Sequence, residues 1–293
     1  MLSRCNLSEF PEYYAKCFDA FKSKSTEPAS WTSSLKTILP KLFKCNWDDS
    51  KFPTNFKTLS VGCADGDGGD LLICDIVKKF LPESSQKPTI FYQAVEPNAD
   101  SLAIFRTSAD SWAQQNSSVE SCFQWFTGGW QDYQSGTKQD PEKFHFIHFL
   151  HSLYYMPDVE EILRDCILNR MTSDGLILCV LCSDSPFVRF SEAHNLPRFP
   201  SNETIKSVVR KNGWRYDCFS IPYHVDITEI LDQSSLEGNL LLDFSTHVKD
   251  YRAVCDKSQL ESVEEYWLKN SKVGDNGKRI TAGQSEAVIV YKC

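Results

Sequence analysis

Residues 58–70, TLSVGCADGDGGD, followed by the apolar run LLI, decide the fold expected for this chain. A short β-type run ends at the first of four glycines, and an amphipathic stretch over 70–80 follows the last; the glycines are Gly62, Gly66, Gly68 and Gly69. Strand, glycine turn and helix in this order are typical of a Rossmann-like βαβ unit, in which glycines let the backbone approach a ligand closely. The helix N-terminus then offers N–H groups to that ligand. An ordinary tight loop is the alternative interpretation.

The region after this stretch alternates strand and helix patterns. We predict strands at 58–62, 89–96, 122–127, 144–152 and 175–183, and helices at 70–80, 98–115 and 159–170. Repeated βα units indicate the α/β class, with a mostly parallel twisted sheet covered by helices on both faces.

The two ends of the chain have other patterns. Residues 1–45 are predicted to be helical with a break at 26–28 and a second helix over about 33–43. Aromatic residues at helical spacing in this region are either core or a cap over a pocket. Beyond residue 185 we expect a helix at 202–212, a strand at 214–221, short helices around Asp226 and Gly238, a helix at 257–270, a loop at 274–283 and a strand at 286–291.

These patterns divide the chain into three parts. We expect an N-terminal helical cap at 1–50, a Rossmann-like cofactor-binding core at 51–185, and a third part with the final strands at 186–293. That the cap contributes to a substrate pocket and that the third part is a substrate-binding insertion is implied by the resemblance given below.

Composition excludes several classes of partner. The net charge is −8 and basic residues form no long run, which argues against nucleic acid. We expect no membrane segment or signal peptide, since no apolar stretch is long enough. The chain has 12 cysteines, and the CxxC pair Cys179 and Cys182 lies in a predicted buried strand with its side chains on different faces. Free thiols predict a cytoplasmic protein, which we expect to be monomeric.

The second predicted strand ends in Ala94-Val95-Glu96-Pro97. An acidic residue at this position can accept two hydrogen bonds from a ribose diol, so Glu96 is predicted to bind a nucleotide cofactor. A solvated strand-end glutamate is the alternative, and the glycine loop upstream favours the binding role.

The spacing of the glycine loop favours one cofactor over another. It reads Gly62-x-x-x-Gly66-x-Gly68, not the compact GxGxxG of dinucleotide enzymes, and it contains Asp65 and Asp67. These carboxylates would repel a pyrophosphate but suit the sulfonium or ammonium group of S-adenosylmethionine. The loop therefore favours a methyltransferase over a dehydrogenase, and it lacks the Lys-Ser/Thr of a nucleotide-hydrolysing P-loop.

A series of motifs, in the same order along nearly the whole chain, resembles the histamine N-methyltransferase family. The run FIHFLHSLYY at 146–155 is similar to the family's FIHMIQMLYYV, and LSVGCADGDGGD to its LSIGGGAGEID. Shorter matches are Ser25-Thr26-Glu27, Val95-Glu96-Pro97, Arg198-Phe199-Pro200, the LLLDF at 240–244, and Gly277-Lys278.

The resemblance implies a class I S-adenosylmethionine-dependent methyltransferase with a helical substrate region. It assigns cofactor contacts to Gly62, Glu96 and Leu150, while a family Gln and a family Ser are replaced by Ser101 and Trp130. With the two loop residues singled out above, the expected cofactor-binding set is Gly62, Gly66, Asp67, Glu96, Ser101, Trp130 and Leu150.

On the substrate side the resemblance keeps the family's Glu as Glu27. The family's Gln position is His151, and its Asn position is Gly283, or Gln284 if the loop shifts by one. The implied aromatic walls are Tyr14, Phe18, Phe21, Tyr154, Tyr155, Phe199 and Phe244, with Phe187 at a family Trp position. Two of the three polar anchors thus differ.

Together these features predict an N-methyltransferase that transfers a methyl group in line to a nitrogen of a small amine, histamine or a related imidazole or aromatic amine. His151 is the one candidate for a catalytic role, as a neutral imidazole facing the acceptor nitrogen. We expect no metal, because His145, His148 and His151 are three residues apart and do not share a strand face. The main alternative is a non-catalytic homologue that binds the cofactor or an amine as a sensor or sequestering protein. A nicotinamide-dependent oxidoreductase is a weaker alternative.

Overall fold

The glycine stretch joins a strand to a helix in the computed structural model, which describes residues 6–47, 51–83, 86–183, 185–194, 196 and 200–292. The strands of this part of the chain are β1 Asn55–Val61, β2 Thr89–Glu96, β3 Glu120–Thr127, β4 Phe144–Leu150, β5 Met171–Cys182, β6 Arg215–Asp226, β7 Lys272–Val273 and β8 Arg279–Tyr291.

The α-helices alternate with these strands and also precede them. They are α1 Pro11–Lys24, α2 Glu27–Asn46, α3 Asp70–Lys78, α4 Ala99–Gln115, α5 Trp130–Gly136, α6 Val159–Asp165, α7 Pro186–Ala193, α8 Asn202–Lys211, α9 Leu236–Thr246, α10 Tyr251–Val254 and α11 Lys257–Lys269. Short 3-10 turns lie at Leu7–Glu9, Leu153–Tyr155 and Thr228–Leu231, and a π-helical turn, Cys166–Arg170, extends α6.

The strands form one sheet in the order β3-β2-β1-β4-β5-β8-β6, with β7 paired to β8. The pairs β1–β2, β2–β3, β1–β4 and β4–β5 are parallel, and β7–β8 is antiparallel. The prediction of a mostly parallel α/β sheet is therefore confirmed.

The strand order reverses between β1 and β4. The chain adds β2 and then β3 on one side of β1, and returns to place β4 on the other side. Ligands of open α/β sheets bind beyond the carboxyl ends of the strands at such a reversal. The ends of β1, β2 and β4 are thus where a cofactor is expected.

The helices around this edge begin where their sequences provide caps. The Asn98 side chain accepts hydrogen bonds from the backbone N–H groups of Asp100 and Ser101 at the start of α4, and Asp158 accepts one from Glu161 at the start of α6. Gly69 precedes α3 with a φ of 122°, a conformation that favours glycine.

All predicted central strands and helices are present with displaced ends, but three predictions outside them are wrong. The segment 274–283 is not a loop throughout, because it forms a turn at Gly277 (φ 76°) and then enters β8 at Arg279. Residues on both sides of this hairpin turn are polar, so the hydrophobicity pattern does not reveal the strand.

The structure also contains α5, α7, α10 and β7, which the sequence pattern did not predict.

The second wrong prediction is the start of α2, which begins at Glu27 and not near residue 33. The Ser25 hydroxyl accepts a hydrogen bond from the Glu27 backbone N–H at 3.0 Å, and Pro28 suits a first helical turn. The expected break at 26–28 is thus the helix N-terminus.

The third is the position of the short helix expected around Asp226, since Asp226 is the last residue of β6 and a short 3-10 helix follows at Thr228–Leu231. Pro222 favoured an earlier end for this strand. Because β6 lies at the edge of the sheet, a proline can be accommodated within this strand.

Contacts divide the chain into two compact units. The first consists of Met1–Trp31, Cys182–Phe199 and Ile221–Ser285, and the second of Thr32–Leu181, Pro200–Ser220 and Glu286–Cys293. The second unit has a core that includes Leu59, Ile147 and Phe149. The core of the first includes Phe190 and Trp267. The three-part division at residues 50 and 185 stays a prediction about function.

Two further findings concern the sequence as a whole. Across the described ranges, no helix is both long and apolar enough to cross a membrane. The described cysteines carry free thiols; Cys179 is buried in the core of the second unit, and Cys182 is partly exposed.

Candidate cofactor and substrate sites

The loop after β1 is shaped by glycines in the left-handed region. Gly62 (φ 72°) donates its N–H to the Val95 carbonyl at 2.8 Å, and Gly66 (φ 77°) donates to the Cys63 carbonyl at 2.9 Å. A Cβ at Gly62 would lie 2.4 Å from the Ser152 Cβ, and one at Gly66 would lie 2.3 Å from the Phe105 ring. The packing of this loop against Ser152 and Phe105 therefore requires glycine at both positions, whether or not a ligand also contacts the loop.

The two loop aspartates have different surroundings. Asp65 accepts a hydrogen bond from the Asp67 backbone N–H at 3.1 Å, which closes a turn within the loop. The Asp67 side chain is exposed. The loop thus presents negative charge beside the carboxyl end of β1, as a cationic ligand requires.

Glu96, the last residue of β2, is buried with 8% of its surface exposed. Its Oε2 accepts a hydrogen bond from the Ala64 N–H and its Oε1 one from the Asn98 N–H, each at 2.9 Å. The carboxylate therefore ties the glycine loop to the turn before α4. Each carboxylate oxygen has a second lone pair, so Glu96 can also accept the two hydroxyls of a ribose.

The remaining predicted cofactor residues lie on elements of the same unit. Ser101 is in the first turn of α4, and Leu150 is the last residue of β4. Trp130 begins α5 and is 3% exposed. Its indole Nε1 has no hydrogen-bond partner among the described residues. An unsatisfied buried donor is costly, and an acceptor on a bound molecule would satisfy it. These groups fit a nucleoside-bearing cofactor.

Arg170, which the sequence did not indicate, supports Trp130. It is 1% exposed, and its guanidinium donates to Asp165 Oδ2 at 2.6 Å and to Thr137 Oγ1 at 2.8 Å. The same group lies 5.3 Å from the Trp130 ring centroid and 5.0 Å from that of Tyr133. A single arginine at the end of a helical segment is not part of a sequence pattern that would predict its packing against Trp130 and Tyr133.

A buried polar network lies next to the glycine loop. Asp70, the first residue of α3, accepts hydrogen bonds from Ser60 at 2.6 Å and Tyr92 at 2.7 Å, and the Tyr92 hydroxyl lies 2.8 Å from His148 Nε2. Burial raises the pKa of Asp70 to about 6, although both hydrogen bonds oppose this. Burial lowers the pKa of His148 to about 3, so its imidazole is neutral at pH 7.

The three histidines around β4 have separate environments. His145 accepts the Lys57 backbone N–H at 3.0 Å, and His148 belongs to the buried network. His151 follows the strand in a left-handed conformation (φ 54°), and its Nδ1 lies 3.2 Å from the Tyr154 hydroxyl. Non-glycine residues with such φ values are uncommon and are often found at functional sites.

The predicted aromatic residues lie in two groups. Tyr154 and Tyr155 follow β4 in the second unit with His151, and Tyr155 is exposed. In the first unit Phe21 stacks on Phe244 with ring centroids 4.7 Å apart, and Phe18 lies 5.8 Å from Phe244. The other members contact these rings: Tyr14 contacts Phe18 and Phe244, and Phe187 contacts Phe21. Phe199 lies outside the described residues.

The predicted polar anchors of the first unit are Glu27 and Gly283. Glu27 begins α2, and its Oε1 accepts a hydrogen bond from Ser285 Oγ at 2.8 Å. At Gly283 a Cβ would lie 2.0 Å from the Tyr223 ring, so this ring occupies the space that a side chain would need. The Tyr223 ring lies 6.4 Å from that of Phe21. Ser285 and Tyr223 were not predicted from the sequence.

The sheet and the loop identify the class of protein. The strand order, with the antiparallel β7–β8 hairpin, is that of a class I S-adenosylmethionine-dependent methyltransferase, and S-adenosylmethionine is the cofactor that this fold implies.

Distant relatives of this chain agree with that class. A carnosine N-methyltransferase 2 of Gallus gallus is 25% identical over 82% of this chain and 74% of its own length. Histamine N-methyltransferases of Cavia porcellus and Mus musculus are 24% and 23% identical, over 81% and 85% of this chain and the same shares of their own lengths. The chain is thus a distant homologue, over most of its length, of proteins with these two names. No family model matches the sequence.

Solved structures similar to this one have lower identity. An arsenic(III) S-adenosylmethionine methyltransferase from Chlamydomonas reinhardtii has a TM-score of 0.45 and 14% identity, covering 82% of this chain and 64% of its own. A geranyl diphosphate C-methyltransferase from Streptomyces coelicolor A3(2) has a TM-score of 0.44 and 11% identity, covering 88% and 76%.

Proposed function

We propose that this S-adenosylmethionine-dependent methyltransferase is an N-methyltransferase whose acceptor is a small amine, histamine or a related imidazole or aromatic amine. The observation that carries the proposal is the Glu27 carboxylate, held by Ser285 in the unit that also contains the aromatic cluster. A carboxylate beside aromatic rings suits a flat molecule with a cationic tail. The two substrates named for the relatives, histamine and carnosine, share an imidazole ring.

The cofactor would be held by the second unit. Glu96 would accept the ribose hydroxyls, the glycine loop would pass close to the cofactor, and Asp67 would favour its positive charge. S-adenosylmethionine would supply a methyl group carried on a sulfonium sulfur. A nitrogen lone pair would attack the methyl carbon in line, so that an N–C bond forms as the S–C bond breaks and the thioether leaves. The surplus proton of the methylated nitrogen then passes to solvent or to a base.

The chain's own residues would orient the acceptor and handle that proton. Glu27 would pair with an ammonium group, and the faces of Tyr14 and Phe18 would stack on a planar ring. Phe18 is 37% exposed, unlike a fully packed core residue. His151 Nδ1 and the Tyr154 hydroxyl, 3.2 Å apart, would offer an imidazole or a hydroxyl to the nitrogen.

A second candidate function is binding without turnover. It is favoured by Gly283, because the position at which the resemblance implies an asparagine has no side chain and is covered by Tyr223. In this case the protein would bind the cofactor or an amine as a sensor or sequestering protein.

One experiment separates the two candidates. The purified chain is incubated with methyl-labelled S-adenosylmethionine and, separately, histamine, carnosine, phenylethylamine and putrescine, and label in each amine is measured by chromatography. Calorimetry with S-adenosylhomocysteine is run in parallel, with Glu96→Ala as the cofactor-site control. Transfer to a ring-bearing amine supports the N-methyltransferase, whereas cofactor binding without any transfer supports the binding protein. A chain that binds neither the product nor, in the same calorimeter, any of the four amines contradicts both.

A further inference from the structure

A buried hydroxyl holds the Glu27 carboxylate in the first unit. Ser285 Oγ donates to Glu27 Oε1 at 2.8 Å, and Ser285 is 1% exposed. The Tyr223 side chain is 2% exposed, and its hydroxyl lies 4.0 Å from Cys182 Sγ. A hydrogen bond to an ionised acceptor is stronger than one between neutral groups.

The direction of this hydrogen bond follows from a proton count. A serine hydroxyl has one proton, and an ionised carboxylate can only accept. Ser285 therefore gives its proton to Glu27. The serine has no second proton to give to a ligand.

The position of Ser285 on β8 explains why Gly283 has no polar role. Residues 281, 283 and 285 alternate with more exposed neighbours and share the buried face of the strand. The Tyr223 ring lies over Gly283 and excludes a side chain there. The polar group of this face that contacts Glu27 is two residues further along, at Ser285.

We propose that Ser285 is a positioning residue that sets specificity for the amine, by fixing the Glu27 carboxylate as the acceptor for an ammonium group. This inference rests on the proposed function. Because the Ser285 proton is committed to Glu27, the pair presents a carboxylate to a cation, and the serine has no proton to donate to a neutral acceptor. A protonated amine is therefore selected over an isosteric alcohol at this end of the substrate.

The test is a double-mutant cycle of Ser285→Ala and Glu27→Gln, with amine methylation and S-adenosylhomocysteine binding as readouts. Ser285→Ala alone should raise the KM for the amine about tenfold, since it removes a hydrogen bond to a charged group, and should leave kcat and product binding within about twofold. In the Glu27→Gln background the same change should cost less than about twofold, because Ser285 acts through Glu27.

Two further variants guard against a merely structural effect. Tyr223→Phe keeps the ring over Gly283 and removes only the hydroxyl that lies 4.0 Å from Cys182 Sγ, so it should leave the KM within about twofold. Thr281→Val removes a buried hydroxyl on the same strand face, one that donates to the Asn270 carbonyl, and should leave the KM within about twofold. The wild type should also prefer histamine to its hydroxyethyl analogue, and Ser285→Ala should reduce that preference.

The outcomes separate this inference from the proposed function. If the wild type methylates an amine while Ser285→Ala retains the wild-type KM, or if the two substitutions are additive, Ser285 is not a positioning residue and the proposed function stands. If the wild type binds the product but methylates no amine and shows no amine binding by calorimetry, the proposed function and this inference are both overturned.

Discussion

The two candidate sites are assembled from different kinds of contact. Around the cofactor loop, the contacts join ends of neighbouring parallel strands and backbone groups; Ala64 and Glu96 are 32 residues apart. In the first unit the central contact joins two side chains, Glu27 and Ser285, which are 258 residues apart. Sheet topology alone brings the first set together, whereas the second depends on which side chain stands at each position.

This difference determines how each site can vary. A cofactor contact that uses backbone N–H groups survives many substitutions, because the strand ends stay where they are. A contact between two side chains is lost or moved by one substitution. On β8, Gly283 has no side chain and is covered by the Tyr223 ring, whereas the hydroxyl that contacts Glu27 belongs to Ser285. The first site is therefore expected to keep one ligand, while the second can change its acceptor.

The strongest test of the cofactor side is Glu96→Ala. We expect the dissociation constant for S-adenosylhomocysteine to rise about a hundredfold, since two charge-assisted hydrogen bonds are lost. Calorimetry measures the constant, and circular dichroism checks folding, because the Ala64 and Asn98 N–H groups lose their acceptor. Glu96→Gln, which keeps one acceptor oxygen, should have an intermediate constant. An unchanged constant would mean that Glu96 only joins the loop to the α4 turn.

The next test concerns stability of the same region. Gly66→Ala should lower the free energy of unfolding by about 2 kcal/mol, because the backbone is left-handed and the new Cβ meets the Phe105 ring. Gly68→Ala is the matched control, since a Cβ there meets nothing within 4 Å and φ is not in the left-handed region; its effect should stay within about 0.5 kcal/mol. Equal urea midpoints for the two variants would contradict the packing role of Gly66.

The strand–turn–helix geometry around the glycine loop follows from the sequence for a physical reason. Glycines in a strand–turn–helix pattern and an acidic strand end are local signals, and parallel pairing of β1 and β2 then places Gly62 near Glu96 without further information. The ends of helices and strands were less predictable. Hairpin residues such as Arg279 are polar whether they lie in a strand or in a loop, so their residue type does not distinguish the two.

The candidate amine site was predicted only from the family resemblance, and that prediction did not include Ser285. Nothing in the local pattern around Ser285 indicates that its hydroxyl contacts Glu27, and the resemblance pointed to residue 283 instead. The buried network of Asp70, Tyr92 and His148 was missed for the same reason. A histidine in an apolar strand has the same sequence pattern whether its partner is a tyrosine or another core residue.

The amine side is tested by Glu27→Gln. The KM for the amine should rise about tenfold while product binding changes less than about twofold, because the charge is lost and the shape is kept. Glu237→Gln makes the same change in the first turn of α9 in the same unit, where the side chain pairs with Lys24. That control should leave both constants unchanged, and an equal response of the two variants would remove Glu27 from the amine site.

The last predicted effect concerns the pH dependence of the free energy of unfolding, to which the buried network contributes. His148 has a pKa of about 3 in the folded protein against an ordinary 6.5, so its contribution to stability is lost as the pH falls below 6.5. Asp70 has a pKa of about 6 against an ordinary 3.8, so its contribution is lost as the pH rises from about 4 to 6. Between pH 4 and 6 the two titrations oppose each other.

Asp70→Asn removes one of the two and keeps an oxygen that can accept from Ser60 and Tyr92. The free energy of unfolding, measured with urea, should then rise more steeply between pH 4 and 6 than in the wild type, by up to about 1.4 kcal/mol per pH unit. Asp75→Asn, an exposed position on the same helix whose carboxylate accepts from Trp112, serves as the control and should keep the wild-type slope. Parallel slopes for the wild type and Asp70→Asn would show that the aspartate titrates alike in the folded and unfolded chain. The region beside the glycine loop would then hold the charge of Asp70 without a loss in the free energy of unfolding. At the amine side, by contrast, we expect the charge of Glu27 to bind an ammonium group.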